Sequence, residues 1–262
     1  MESPKPPRLL VIAGSDSSGG AGLQADLKTA QAFGVYAQTA VTAITVQNTH
    51  GVTQVHPVPA TVVRAQIDAA LNDIGADAIK IGMLGNGEIA AAVADALEGS
   101  SIPLVLDTVL IASSGAPLLD DDGIAVLKER LLRRAALVTP NLPEAEALTG
   151  IYPKNEHRLR NAAMVFKLLG VDHVLFKGGH GEGPVLRDVL WTGGEFLPFE
   201  AARQDTPHTH GTGCTLATAI ACGLAGHLPL KDAVARAHAY VQEAIRTAPS
   251  LGSGAGPLNH QV

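Results

Sequence analysis

The sequence predicts a three-layer α/β/α protein, a mostly parallel central sheet with helices on both faces. Three observations predict it. Short apolar runs of strand length alternate with longer segments of helical spacing. The connections between them are short, as βαβ units require. Only 3 % of residues are aromatic and 46 % are apolar, with Ala, Val, Leu and Gly dominant. Small side chains let helices pack close to a sheet.

The elements follow in order. Leu9–Ala13 is a continuous apolar run that stops at Gly14, a buried strand. A Gly/Ser loop, 14–20, leads to a helix over Ala21–Phe33 that ends at Gly34. Thr39–Thr45 is a strand, and 61–72 is a helix on the spacing of Val62, Val63, Ile67, Ala70 and Leu71. Ala78–Ile81 (strand), Glu88–Leu97 (helix), Leu104–Leu106 (strand), Gly123–Leu132 (helix) and Leu137–Thr139 (strand) continue the alternation. Asn141 suits an N-cap, Pro143 a first turn, Glu144 the positive dipole end, and Gly150 the stop. Arg158–Leu169 is a helix and His173–Phe176 a strand. Thr192-Gly193-Gly194 between Val185–Trp191 and Glu195–Phe199 signals a hairpin. Helices over Thr212–Ala225 and Leu230–Thr247 close the pattern. One domain over 1–262 is expected, with loose tails at 1–7 and 250–262.

Composition excludes several classes. Net charge is −6 and no basic run stands out, which argues against nucleic acid as a partner. No apolar run reaches the ~20 residues of a membrane span, and the polar, Pro-rich start lacks a signal-peptide core. Cys214 and Cys222 share one predicted helix, so their Cα atoms lie ~12 Å apart, beyond the ~7 Å reach of a disulfide. A cytoplasmic location follows as the expectation.

In a parallel sheet, ligands sit beyond the carboxyl ends of the strands, and that rule selects the segments to inspect. Gly20-Ala21-Gly22-Leu23-Gln24-Ala25 fits a dinucleotide fingerprint. However, the second strand ends at Gln47, with no acid to hold a ribose hydroxyl. A P-loop is absent from the sequence. His210-Gly211-Thr212-Gly213-Cys214-Thr215 opens a helix, either as a cradle of N–H groups for developing negative charge or as a tight turn with a structural Cys. A thiol in a first helical turn is expected to have a lowered pKa. Asn141 and Glu144 follow a strand end, either as an ordinary cap or as groups that order water around Mg²⁺ and phosphate. Lys177, before Gly178-Gly179, is a phosphate contact or a surface Lys. Asp107 stands at a strand end, suited to an indirect metal contact or to a cap. Met83 follows Lys80-Ile81-Gly82 and fits either core or pocket.

In this order and spacing the pieces resemble the pyrimidine kinases of thiamin synthesis, in the ribokinase superfamily. The likeness begins at Gly14-Ser15-Asp16-x-Ser18-Gly19-Gly20-Ala21-Gly22-x-Gln24-Ala25-Asp26. It continues through Gln47-Asn48-Thr49-x-Gly51-Val52, Lys80 to Leu84, Leu106-Asp107, Ser114-Gly115, Thr139 to Glu144, Lys177 to His180, Thr209 to Thr215 and Gly254 to His260. Pyridoxal kinases share several of these pieces. The resemblance implies a ribokinase-like fold, ATP and Mg²⁺ as cofactors, and a homodimer. It implies that the substrate is 4-amino-5-hydroxymethyl-2-methylpyrimidine and then its monophosphate. Gln47 would bond the pyrimidine, with Gly14, Asp26 and Met83 lining that pocket. Lys177, Thr139, Asn141 and Asp107 would serve ATP, and Glu144, Asn141 and Asp107 would manage the metal through water. Gly211, Thr212, Gly213 and Cys214 would form the anion hole. Many members carry Pro and Met after the strand-end Asp, where this chain has Thr108 and Leu110. Pro207-His208 also departs from the common pattern.

Many relatives carry Asp where this chain has Cys214. A thiolate base there would serve mainly the first transfer, because the second acceptor is already an anionic phosphate. A pyridoxal kinase, a non-catalytic pyrimidine sensor and an NAD oxidoreductase are the rival expectations.

Overall fold

The structure, a computed structural model, describes residues 5–111, 117–180 and 183–262. Residues 1–4 of the expected lead and the Ser114-Gly115 pair lie outside them. The element order is β1 (Arg8–Asp16), α1 (Gly22–Ala32), β2 (Tyr36–Asn48), β3 (Gly51–Pro57), α2 (Ala60–Asn72), β4 (Ala78–Ile81), α3 (Gly87–Ala96) and β5 (Leu104–Leu106). It continues with α4 (Asp121–Val126), β6 (Leu137–Val138), α5 (Leu142–Thr149), α6 (Glu156–Leu168) and β7 (Val174–Phe176). Then come β8 (Val185–Trp191), β9 (Phe196–Ala202), α7 (Thr212–Ala225) and α8 (Leu230–Arg246).

The nine strands form one sheet in the order β3-β2-β1-β4-β5-β6-β7-β8-β9. The strands from β2 to β7 in that order run parallel, while β3, β8 and β9 add antiparallel edges. Both faces are covered, so the central strands are apolar throughout. Along β1 the side chains alternate between faces. Leu10 and Ile12 join the core beneath α2, α3, α5 and α6, whereas Leu9, Val11 and Ala13 pack under α1, α7 and α8. The helix α7 is buried from Thr215 to Gly223, so it reads as apolar on every side.

Three differences from the sequence reading have plain causes. The strand β3 carries polar, half-exposed side chains and no continuous apolar run, so it gave no strand signal. The predicted 123–132 helix begins earlier, because the Asp120 side chain accepts from Gly123 N–H at 2.8 Å. It then widens through a π turn, Leu127–Leu131. The segment 250–262 is not a loose tail. Ala255 N–H donates to Thr49 O at 2.8 Å, His210 N–H to Gly256 O at 3.1 Å, and Leu258 is buried. A Cβ at Gly254 would fall 2.2 Å from Thr49 O. That glycine marks close backbone approach and not mobility. At the other end Tyr36 N–H holds Pro7 O at 2.9 Å. No helix among the described residues is long and apolar enough to cross a membrane.

Candidate active site

The side-chain period of two decides which groups meet at the carboxyl edge. Leu106, Val138 and Phe176 end their strands facing the α2–α6 side. The next residues, Asp107, Thr139 and Lys177, therefore turn toward α7. Ladder bonds continue past the strand ends and keep that direction: Asp107 N–H to Ile81 O at 2.9 Å, Thr139 N–H to Leu106 O at 3.0 Å, and Lys177 N–H to Pro140 O at 2.9 Å. They arrive at the N-terminus of α7. There Gly211 adopts φ 85° and no side chain caps the helix. A Cβ on Gly211 would sit 1.9 Å from Gly20 O, so only glycine fits. Thr212 N–H turns back to Thr209 O at 3.2 Å, which leaves the N–H groups of Gly213 and Cys214 at a cavity of about 500 Å³ lined by Gly211, Thr212, Gly213 and Cys214.

Lys177 Nζ donates to Asp107 Oδ1 at 2.8 Å and lies 3.9 Å from Glu144 Oε2. Thr139 Oγ1 donates to Asp107 Oδ1 at 3.1 Å. Asn141 and Glu144 form a capping box on α5, with Glu144 N–H to Asn141 Oδ1 and Asn141 N–H to Glu144 Oε2, both at 2.8 Å. Thr108, one of the departures noted above, donates to Glu144 Oε2 at 3.1 Å. Burial works against the Lys177 charge, but Asp107 and Glu144 outweigh it and raise its pKa. Burial also opposes the Asp107 charge, yet Lys177 and Lys80 hold that carboxyl below its usual range. Glu144 goes the other way: burial raises its pKa, and Asp107 adds to the rise.

A metal would find two carboxylate oxygens here. All described bonds to Glu144 fall on Oε2 and all those to Asp107 on Oδ1. The other oxygen of each is left open. No cluster of three ligating side chains occurs among the described residues. That donor set fits Mg²⁺, which keeps most of its waters and takes one or two carboxylates plus phosphate oxygens.

The other lobe of the cavity holds Gly14, Asp16, Thr45, Gln47, Val52, Met83 and His210. Gly14 leaves room for Met83, whose Sδ would lie 3.0 Å from a Cβ there. Asp16 and His210 escaped the sequence reading as site residues. The Asp16 carboxylate takes Ser18 N–H at 2.8 Å, Gly20 N–H at 3.1 Å, Ala21 N–H at 2.8 Å and His210 Nε2 at 2.9 Å. Burial alone would raise its pKa; the bonds from His210 and Ser18 pull it down to about 2. Asp188 and His238 line the far end, near Gln242. Asp188 Oδ1 accepts from Gly178 N–H at 2.7 Å, which pins the residue after Lys177. Only their positions on β8 and α8, distant in sequence, could have signalled them.

Two expectations are corrected. Asp26 does not line the cavity. It is fully buried on α1, where its carboxylate accepts from Lys80 Nζ at 2.8 Å and Thr218 Oγ1 at 2.6 Å. The reason is again the strand period: Lys80 on β4 points between α1 and α7. Burial raises the Asp26 pKa against the pull of Lys80. Burial opposes the Lys80 charge, and the Asp26 carboxylate, with Asp107 behind it, outweighs that and keeps Lys80 protonated. The half-buried Cys214 thiol shifts opposite to the expected direction. Burial, reinforced by Asp26 and Asp107, pushes it up to about 11 despite Lys80. Cys222 lies buried on the same helix and both cysteines are free.

A parallel sheet whose edge converges Lys177, Asp107 and Glu144 on an uncapped glycine-opened helix defines a small-molecule kinase of the ribokinase type. The comparisons narrow it. The family model for phosphomethylpyrimidine kinase matches residues 16–259. The hydroxymethylpyrimidine/phosphomethylpyrimidine kinase of Haemophilus influenzae is 45% identical over 258 residues, 97% of this chain and 96% of that protein. The thiamine biosynthesis bifunctional protein ThiED of Geobacter sulfurreducens is 48% identical over 253 residues, 96% of this chain. The chain spans 52% of that longer protein. The structure of Staphylococcus aureus pyridoxal kinase in complex with AMP-PCP and pyridoxal superposes with a TM-score of 0.90 at 34% identity, covering 98% of this chain and 94% of that one. The chain belongs to the phosphomethylpyrimidine kinase family.

Proposed function

We propose that the protein transfers the γ-phosphoryl group of ATP first to the hydroxyl of 4-amino-5-hydroxymethyl-2-methylpyrimidine and then to the resulting monophosphate, giving the diphosphate used in thiamin synthesis. The observation that carries this reading is the Lys177–Asp107–Glu144 cluster set against the first-turn N–H groups of Gly213 and Cys214, with Gln47 and Met83 in the adjoining lobe. It acts as a cytoplasmic homodimer in this reading.

Phosphoryl transfer through a loose transition state asks for alignment and charge neutralisation more than covalent help. Lys177 neutralises charge on the transferred phosphate, and the helix-terminal amides of Gly213 and Cys214 hold its equatorial oxygens. Asp188 keeps Lys177 in place through Gly178 N–H. Asp107, Glu144, Asn141 and Thr139 form the edge that faces the nucleotide phosphates. Mg²⁺, when bound, supplies further neutralisation, and Glu144 and Asp107 would hold it through water. The bond from the γ-phosphorus to its bridging oxygen breaks as the acceptor oxygen bonds, and the hydroxyl proton leaves to solvent in the first step only. A thiol at about 11 is protonated at neutral pH. Cys214 therefore contributes its amide and shape, and not a base.

The similarity to a pyridoxal kinase makes vitamin B6 alcohols the rival acceptors. An ATP-coupled assay across the hydroxymethylpyrimidine, its monophosphate and pyridoxine tests the reading. Turnover of both pyrimidines above pyridoxine supports it. Preferred turnover of pyridoxine reassigns the chain to the rival, and pyrimidine binding without ATP turnover makes it a sensor.

A further inference from the structure

Three bonds around Gln47 contradict one another unless two protons are placed in one particular way. His210 Nε2 lies 2.9 Å from Asp16 Oδ2 and 3.1 Å from Gln47 Nε2. Asp16 also accepts from Ser18, Gly20 and Ala21, all with its carboxylate oxygens. An acceptor so saturated requires a proton on His210 Nε2, in the neutral Nε2–H tautomer or the imidazolium alike. A nitrogen that carries a proton cannot accept from an amide N–H. Thr45 suits the opposite orientation as well: its one hydroxyl hydrogen goes to Ser15 O, the nearer acceptor at 2.9 Å, which leaves its oxygen able to accept from Gln47 at 3.2 Å.

A half-turn of the Gln47 carboxamide removes the facing N–H groups at His210 and gives Thr45 Oγ1 a donor. The amide oxygen then takes the longer branch of the His210 Nε2–H that Asp16 Oδ2 shares, where the amide NH2 would face that N–H with no acceptor. The amide nitrogen donates to Thr45 Oγ1, whose own hydrogen goes to Ser15 O. Turning the imidazole instead would put Cε1 where Nε2 meets Asp16 Oδ2 and forfeit that 2.9 Å bond.

A free carboxamide cannot select between ligands of opposite hydrogen-bond order, because it rotates to suit either. We propose that His210, held by Asp16, is a specificity-determining positioning residue that locks Gln47 to present an acceptor on its His210 side and a donor on its Thr45 side. The lock selects a ring bearing an amine beside an unprotonated ring nitrogen. It rejects the oxo counterpart, whose carbonyl and ring N–H reverse the order. This rests on the functional reading above for the identity of the ring.

The test compares 4-amino-5-hydroxymethyl-2-methylpyrimidine with its 4-oxo analogue in the full-length protein and in Asp16→Asn and His210→Phe. Each is assayed for kcat/KM with ATP and for Kd by calorimetry. The expected wild-type preference for the amino ring is about a hundredfold or more, since a reversed pair leaves buried partners unpaired. In either variant the preference falls below about tenfold, because the amide is free to turn. Circular dichroism and the calorimetric stoichiometry fix the folded fraction of each variant, so that the ratio is read from folded protein alone. A wild-type preference below about fivefold, or one unchanged in both variants, overturns the lock. Discrimination in Kd without any phosphate transfer would overturn the kinase reading and leave the lock standing.

Discussion

The two lobes of the cavity are built from different physics. At the transfer lobe, charged groups project from the central strands β5 and β7 and from α5, and each is paired: Lys177 with Asp107, Glu144 with the backbone of Asn141. At the ring lobe, Thr45 and Gln47 of β2 and Val52 of β3 lie toward the sheet edge, and His210 is tied to the chain's last segment. One lobe is fixed by the sheet and, in the proposed function, takes the phosphate groups. The other is assembled from an edge hairpin and a terminal strap and, in the same proposal, takes the ring that differs between pyrimidine and pyridine acceptors. The contrast explains why the chain superposes so closely on a pyridoxal kinase while sharing more sequence with the pyrimidine kinases.

Breaking the transfer lobe has the largest expected effect. Lys177→Ala leaves Asp107 and Glu144 facing each other without a cation. It lowers kcat about a thousandfold for both transfers, the scale of losing a key electrostatic group, in a steady-state assay of each acceptor. Gly213→Ala places a Cβ 3.3 Å from Lys177 Nζ and 3.8 Å from Asp107 Oδ2. It is expected to cost about a hundredfold in kcat with an unchanged melting temperature, which separates crowding of the phosphate from damage to the fold.

Lys80→Met tests the foundation under both lobes. It strands the buried Asp26 carboxylate and costs about 3–5 kcal/mol by denaturant unfolding. Lys80→Met with Asp26→Leu recovers most of that loss, because a buried pair exchanged for apolar groups is near neutral. Failure of the double variant to recover would assign the pair a role beyond charge compensation.

Cys214→Ala sharpens the transfer lobe further. With the thiol up at about 11, both transfers fall by the same small factor, about tenfold or less, and no pH limb disappears. A loss confined to the first transfer would restore the base role expected from the sequence.

The last effect concerns the strap and appears only in acid. Burial lowers the His260 pKa to about 4, beside Thr215 Oγ1 at 3.1 Å. A histidine lowered on folding binds more protons unfolded, so stability falls as pH drops from about 6.5 to about 4, by up to about 3 kcal/mol. His260→Asn flattens the melting temperature across that window. An unchanged slope would mean that the strap's histidine titrates as in the unfolded chain.

Much of this was legible in the sequence because parallel strands announce themselves. Leu9–Ala13 and Leu104–Leu106 are continuous apolar runs, and the rule that ligands sit past strand ends then singled out Asp107, Asn141, Glu144 and Lys177. The capping box at Asn141 and Glu144 was readable from residue types alone. Other features were not. β3 escaped because an edge strand with one exposed face has no apolar run. Asp26 misled because residues four and eight past a glycine loop look alike whether they face a cavity or the layer beneath. Lys80 held the missing signal: an isolated Lys in an apolar strand must find a buried acid. The Cys214 pKa was misread because helix position is visible in sequence and burial is not. The glycines at 254 and 256 suggested mobility, while their use is backbone contact.

The central claim is that this cavity joins a phosphate-transfer lobe to a ring lobe made for an aminopyrimidine. Measuring ATP-dependent conversion of hydroxymethylpyrimidine to its diphosphate, with pyridoxine as the competing acceptor in the same mixture, tests it most directly. The account predicts that the monophosphate and then the diphosphate accumulate while pyridoxine stays largely unphosphorylated. Pyridoxine consumed ahead of the pyrimidine, or no diphosphate formed at all, would contradict it.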